Sequence, residues 1–190
     1  FYMFIFYLGY FVVMTLPTKK IDRYMVVVFP YIAVLAVLGL DYIRSKISNP
    51  KHTVLVGAVL LANYAFSTLY FFPYYFTYNS FLVGSAENAN KIIAQKSFGI
   101  GIFELKERLF ARFGDYPRIG FIDTKPMKSI YMASRISDIR EAGTSSYDIL
   151  VLGINEEMPE KVLDSGVTFE HVDSMYINGL EYWKIYVKKQ

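Results

Sequence analysis

Apolar residues in this chain come first in long unbroken runs and then in short ones. Residues 1–18, 24–40 and 53–86 carry no charged side chain at all. A helix rises about 1.5 Å per residue, so about 20 residues cross a hydrocarbon core about 30 Å thick. The pattern therefore predicts three membrane-spanning helices, at about 1–17, 24–42 and 53–72. Helices buried in a large soluble protein are the alternative, but those rarely go so long without a charge. Tyr24, Tyr31, Tyr42 and the cluster "YFFPYYFTY" at 70–78 resemble the aromatic rings that settle at headgroup level. Pro17 ends the first run, and the polar link "RSKISNPKH" at 44–52 joins the second to the third.

After Pro73 the text changes. Residues 73–84 are uncharged but too aromatic and polar for another span, and they read as a segment lying along the membrane interface. From Ile102 to Phe113, the residues Phe103, Leu105, Leu109, Phe110 and Phe113 recur at helical spacing among charges, which predicts an amphipathic helix. "RIGFID", "YDILVLG", "TFEHV" and "EYWKIYVKK" read as strands, with helices over 125–136 and 159–164 and a tight Asn178-Gly179 turn before the last strand. The expected fold is a multi-pass α-helical membrane region of three transmembrane helices, residues 1–84, followed by a small α/β domain, residues 85–190.

Composition agrees with a membrane class: 54% hydrophobic and 18% aromatic residues, with a mean hydropathy of +0.28 over 190 residues. Charge divides the chain. Residues 1–86 contain six Lys/Arg and two Asp/Glu, whereas the rest is slightly acidic. That basic excess sits beside apolar runs rather than on a polar face with interleaved aromatics, which argues against nucleic acid. The absence of Cys removes disulfides, thiolate metal sites and a Cys nucleophile, and leaves the compartment open. The chain begins at Phe1 inside an apolar run without the charged flank of a signal peptide, so the N-terminus reads as a cut.

Chemistry concentrates in "PTKKIDRYMVVVFPY", where Lys19, Lys20, Asp22 and Arg23 separate the first two spans. Basic residues beside a span serve as topological anchors; they can also hold a phosphate at the membrane boundary. Three details favour the phosphate. Arg23 offers a fork of donors, Pro30 would interrupt the next helix and free backbone groups, and three crossings put the aromatic "YYFTYNS" on the same side. The second short loop also has three basic residues, so loop charge does not choose an orientation. In the second half, "GIGIFE" has two glycines of a dinucleotide fingerprint but lacks the third and a preceding strand, so it reads as a turn before a helix. Asp123 in "DTKP" ends a strand, a place where α/β sheets put functional groups, and is read as a helix cap. His52 and His171 lack zinc-site spacing. No metal and no cofactor is predicted.

The segment "KKIDRYMVVVFP" resembles the K-x-x-RY…P element before a late span of the GT-C glycosyltransferases, the protein mannosyltransferase and aminoarabinose transferase group that uses polyprenyl-phosphate sugars. "PYYFTYNSFLVGSAENA" is similar to their Y-x-x-YYNPLxGG segment after the final span, with Ser80 where Pro is usual. "GIGIFELKERL" stands where they have GWGEGLxxAAxYL. The likeness covers about residues 17–112 and weakens beyond. It implies the C-terminal part of a membrane enzyme that moves a sugar from an isoprenoid phosphate to an extracytoplasmic acceptor. On that reading Lys19, Lys20, Arg23 and Tyr24 bind the lipid phosphate, and Tyr78 and Asn79 face the acceptor or the interface. The α/β domain lies outside the cell membrane. The partners are membrane lipid, the lipid-linked donor and a missing N-terminal transmembrane portion that holds the catalytic carboxylate, so the fragment alone is inactive and has no catalytic residue of its own. A membrane-anchored, non-catalytic binding or sensor module is the alternative.

Overall fold

The computed structural model describes residues 2–15, 28–47, 49–79 and 83–189. The chain divides into two compact units, 1–64 and 65–190.

The first unit is helical. Helix α1 covers Tyr2–Thr15, α2 Phe29–Lys46 and α3 Pro50–Tyr70, the last running on into the second unit. The expected link at 44–52 is mostly helix. Arg44 and Lys46 close the last turn of α2, where cations suit the carbonyl end of the helix dipole. Only a short break around Asn49 separates the helices, and the Asn49 side chain accepts from Lys51 N at 3.0 Å, ahead of which Pro50 opens α3. Pro30 does not interrupt α2: it lies in the first turn, where a missing N–H leaves nothing unpaired.

The expectation of three transmembrane helices is overturned. Among the described residues one helix, Lys51–Tyr70, is long and apolar enough to cross a membrane. Helix α1, at 14 residues, reaches about 21 Å. Helix α2 has 18 residues, but Asp41, Arg44 and Lys46 fall inside it and leave an apolar stretch of about 18 Å. The uncharged run was a poor guide because it ends at Leu40 while α2 continues for six more residues, the last three of them in the polar link. With three crossings gone, the parity argument that placed the 19–23 loop and the C-terminal domain on one side no longer follows.

The second unit is α/β, with a five-stranded mixed sheet in the order β2-β1-β3-β5-β4. Its strands are β1 Ile119–Phe121, β2 Ile136–Asp138, β3 Ile149–Gly153, β4 Phe169–Ile177 and β5 Leu180–Lys188. β1 runs parallel to both β2 and β3, while β5 is antiparallel to β3 and β4. The β4–β5 hairpin turns on Asn178-Gly179, both at positive φ, as a type I′ turn requires. Helices α4 Ala86–Ile93, α5 Ile102–Phe113, α6 Lys125–Lys128 and α7 Glu160–Leu163 complete the unit. The helix expected over 125–136 stops after one turn, and its last residue instead starts β2, beside β1.

All five residues of β3 are buried, so it covers both faces of the sheet. Ile149 and Val151 join Leu105 and Leu109 of α5, Phe121, Met127 and Trp183 in the larger core. Leu150 and Leu152 turn the other way and meet Ile139, Tyr147 and Val162. The segment read as lying along a membrane interface makes its own turn at Tyr75–Thr77 and is tied to this unit. Tyr74 packs on the larger core and its hydroxyl donates to Glu104, while Thr77 is buried and accepts from Asn178 Nδ2 at 2.6 Å. Burial, then the bond to Glu104, pushes the Tyr74 hydroxyl up to about 12.

Candidate functional site

β1 leads outward to the edge strand β2, and β3 leads the other way, through α7, to β4. Neighbouring parallel strands whose connections diverge leave a crevice beyond their carboxyl ends, where open α/β sheets place ligands. Here that crevice has a volume of about 390 Å³. Asp123 enters it from the end of β1, Ile154, Asn155 and Glu156 from the end of β3, and residues 94–98 from the stretch between α4 and α5.

The stretch between the helices is irregular but heavily tied. Ala94, Phe98, Gly99 and Gly101 all have positive φ. Gly101 is the residue before α5, and a Cβ there would lie 2.6 Å from Ile177 Cδ1 and 2.7 Å from Met175 Cε. This position has the left-handed backbone that glycine tolerates, so "GIGIFE" is a turn packed onto β4. Two aromatics of β5 hold the stretch from below: the Tyr182 hydroxyl donates to Lys96 O at 3.1 Å, and Trp183 Nε1 donates to Ile100 O at 2.8 Å. Burial pushes the Tyr182 hydroxyl up to about 12, so it remains a donor across the physiological range.

A pair of amides closes one wall. Asn90 Nδ2 donates to Asn155 Oδ1 at 2.9 Å, and Asn155 Nδ2 returns a bond to Asn90 Oδ1 at 2.8 Å and another to Gln95 O at 2.8 Å. Asn155 has φ of +58°, a conformation that Asn adopts more readily than most residues. The Gln95 Oε1 atom is buried without a partner among the described residues.

The two carboxyl groups differ. Asp123 is exposed and its Oδ1 accepts from Lys125 N at 3.3 Å, one residue ahead of the α6 N-cap Thr124, and the same residue lines the crevice. Arg140 steadies the backbone behind it by donating to Ile122 O at 2.8 Å while its fork grips Asp138, whose carboxyl is held below the usual range by that hydrogen bond. Glu156 is half-buried, and its Oε2 accepts from Gly153 N at 2.6 Å. Burial pushes the Glu156 carboxyl above its ordinary range and the nearby Asp123 adds to this, while the Gly153 N–H opposes it. Gly153 permits the arrangement: a Cβ there would sit 2.8 Å from Ser97 Cβ and 3.1 Å from Glu156 Oε2.

Lys19, Lys20, Arg23 and Tyr24, the residues proposed to hold a lipid phosphate, lie outside the described residues, as does Ser80. Tyr78 follows the 75–77 turn, half exposed, with its ring edge-on to Phe71 at 5.1 Å, and Asn79 is next to it. Neither lines the crevice. His171 bonds Ser174 Oγ at 2.8 Å, and among the described residues no group of three or more His, Cys, Asp or Glu could hold a metal ion. Sequence reasoning singled out Asp123 and missed Glu156, Asn155, Asn90 and the 94–98 stretch. One signal was available: "GFID" and "VLGINEE" are both apolar strands that reach an acidic residue just past the strand end.

The class these features define is an α/β unit with a switch-point crevice, preceded in the chain by an exposed apolar helix. Comparison of the chain with protein-family models, curated proteins and solved structures finds no match in any of the three.

Proposed function

We propose that this chain is the C-terminal part of a membrane glycosyltransferase that takes a sugar from a polyprenyl-phosphate carrier, with the α/β unit on the extracytoplasmic side of the cell membrane. The observation that carries the reading is the order of three motifs along about 17–112: the first ends at the start of α2, the second follows the apolar helix Lys51–Tyr70, and the third runs into α5. Helix α3 supports it, because none of its described side chains is buried and it runs directly into the aromatic stretch at 70–78.

In this proposal Arg23, with Lys19, Lys20 and Tyr24, binds the donor phosphate. Transfer of the sugar leaves extra negative charge on that phosphate, and fixed cations partly shielded from water stabilise it more than bulk solvent would. Tyr78 and Asn79 stand on the acceptor or interface side, and the catalytic carboxylate belongs to a transmembrane portion upstream. The test is Arg23→Ala in the full-length enzyme, at matched expression and insertion. A loss on the order of 10²-fold in kcat is expected; unchanged kcat and KM, repeated for Lys19→Ala and Lys20→Ala, would return the cluster to an anchor.

The crevice favours a second reading, a membrane-anchored binding module in which the α/β unit recognises a ligand and the helices only tether it. Full-length protein that transfers no sugar from any polyprenyl-phosphate donor, yet binds a ligand through Asp123 and Glu156, would decide for the module.

A further inference from the structure

We propose that the crevice beyond the carboxyl ends of β1 and β3 binds a carbohydrate. The inference comes from the lining of the crevice and stands whether or not the chain belongs to a glycosyltransferase.

Elimination narrows the ligand by chemistry. The volume of about 390 Å³ falls within the range of small-molecule sites, about 300–1,000 Å³. An anion would meet the carboxyl groups of both Asp123 and Glu156 in the lining. A metal ion would find those two groups with one oxygen of Glu156 already taken by the Gly153 N–H. A purely apolar ligand would cover both carboxyls and Lys96 without pairing them, which is costly. A neutral ring bearing hydroxyls meets none of these objections. Its O–H groups donate to Asp123 and to Glu156 Oε1, its oxygens accept from Lys96, and its flat C–H face lies on an aromatic ring.

The aromatic ring is Phe98. It lines the crevice with 70% of its surface exposed, whereas Tyr182 and Trp183 of β5 are buried in the core and bonded to the backbone of the same stretch. Phe98 also sits at φ of +43°, a backbone region unusual for a bulky residue, fixed by the Ile100 N to Ser97 O turn of 2.8 Å. The floor is rigid: the Asn90–Asn155 pair, Tyr182 and Trp183 hold residues 95–100 before any ligand arrives, so little ordering is left for binding to offset.

The test uses the full chain in lauryldimethylamine oxide micelles, since glucoside and maltoside detergents would compete. Methyl hexopyranosides, N-acetylglucosamine, hexose 1-phosphates and inorganic phosphate are each titrated by saturation-transfer NMR. Fluorescence of Trp183, the one tryptophan of the chain, reports on the attached 96–100 stretch. At least one neutral sugar is expected to bind. Phe98→Ala should weaken it about tenfold, the scale of one lost aromatic face, and Asp123→Asn and Glu156→Gln should each weaken it severalfold, with Phe103→Ala, exposed outside the crevice, without effect. A methyl glycoside that binds at least as well as the sugar phosphate supports the proposal, whereas a sugar phosphate that binds much more tightly would show the phosphate to be what is recognised and would overturn it. Binding of inorganic phosphate alone, no binding of any sugar, or sugar binding indifferent to all three crevice substitutions would overturn it. Asp123 is exposed, so its Asn variant keeps the test valid if Phe98→Ala fails to fold.

Discussion

Helix α3 and strand β3 are both apolar, and their surroundings are opposite. None of the described side chains of α3 is buried across 21 residues, while all five residues of β3 are. Burying an apolar side chain in protein contributes about 1.5–3 kcal/mol, so a folded chain ordinarily hides such residues from water. β3 does so by sitting between two layers: Val151 faces the α5 side and Leu150 faces Tyr147. In helix α3, Leu55, Leu61, Phe66 and Leu69 each stay 60–77% exposed. The lesson is that hydrophobicity records the avoidance of water and not the identity of the neighbour. A run of apolar residues becomes a core strand or an exposed helix according to whether other elements of the chain reach it.

The most damaging way to break the α/β half is at its largest core side chain. Trp183→Ala should cost about 3–5 kcal/mol, because Trp183 is buried against Phe121 and its indole N–H supports Ile100 O. Chemical denaturation would read this as a lowered midpoint, and a small loss would mean that the 96–100 stretch does not depend on β5. In the helical half, Leu61→Arg should cost about 2.5–3.5 kcal/mol of membrane insertion and leave the melting of the α/β unit unchanged. Carbonate extraction of membranes checks it: extraction identical to wild type would break the contrast by showing that α3 does not face lipid.

A smaller and opposite effect is expected at Tyr147. This residue is fully buried, and its hydroxyl has no hydrogen-bond partner among the described residues. Tyr147→Phe removes a desolvated polar group while keeping the ring, and should raise stability by about 1 kcal/mol. A lower melting temperature would mean that the hydroxyl is satisfied in solution.

The smallest effect concerns pH. Glu156 holds its proton more tightly in the fold than its ordinary value of 4.5, because of burial first and then the nearby Asp123. The stability this confers is complete below that value and is lost as pH rises through the folded-state pKa. Glu156→Gln should therefore flatten the decline above pH 4.5 and melt higher than wild type at neutral pH, since its amide oxygen can still accept from Gly153. Asp138, held low by Arg140, has the opposite sign: its contribution is present above 3.8 and lost as pH falls. Melting curves across pH would separate the two, and a variant as pH-sensitive as wild type in the upper window would place the effect elsewhere.

Legibility in the sequence followed the range of the forces involved. Helix α5 was readable because Leu105 and Leu109 repeat at the spacing of one helix face, and both prove fully buried. The Asn178-Gly179 turn was readable because the positive φ it needs is a local demand. β2 was not: "ISD" has one apolar residue in three, and it is a strand only because Ile136 pairs with Ile119 across the sheet. Helix α4 was missed for a similar reason, since its start rests on Ser85 accepting from Asn88 N at 3.2 Å, just past the segment read as interfacial. The transmembrane pattern misled where composition was taken for length, because the uncharged run ends at Leu40 while α2 continues through Asp41, Arg44 and Lys46.

What the sequence by itself determined is therefore local: the apolar helix of α3, the amphipathic face of α5, four of the five strands, and the turn that joins the last two. Periodicity and turn chemistry act over a few residues, and a single chain displays them openly. The crevice was decided by tertiary structure alone. Phe98, Asp123 and Glu156 stand far apart in the chain, and they converge because β1 and β3 lie side by side with their connections diverging, a consequence of strand order. Strand order comes from which apolar faces can be buried together, and that competition among distant segments leaves no mark at any one of them.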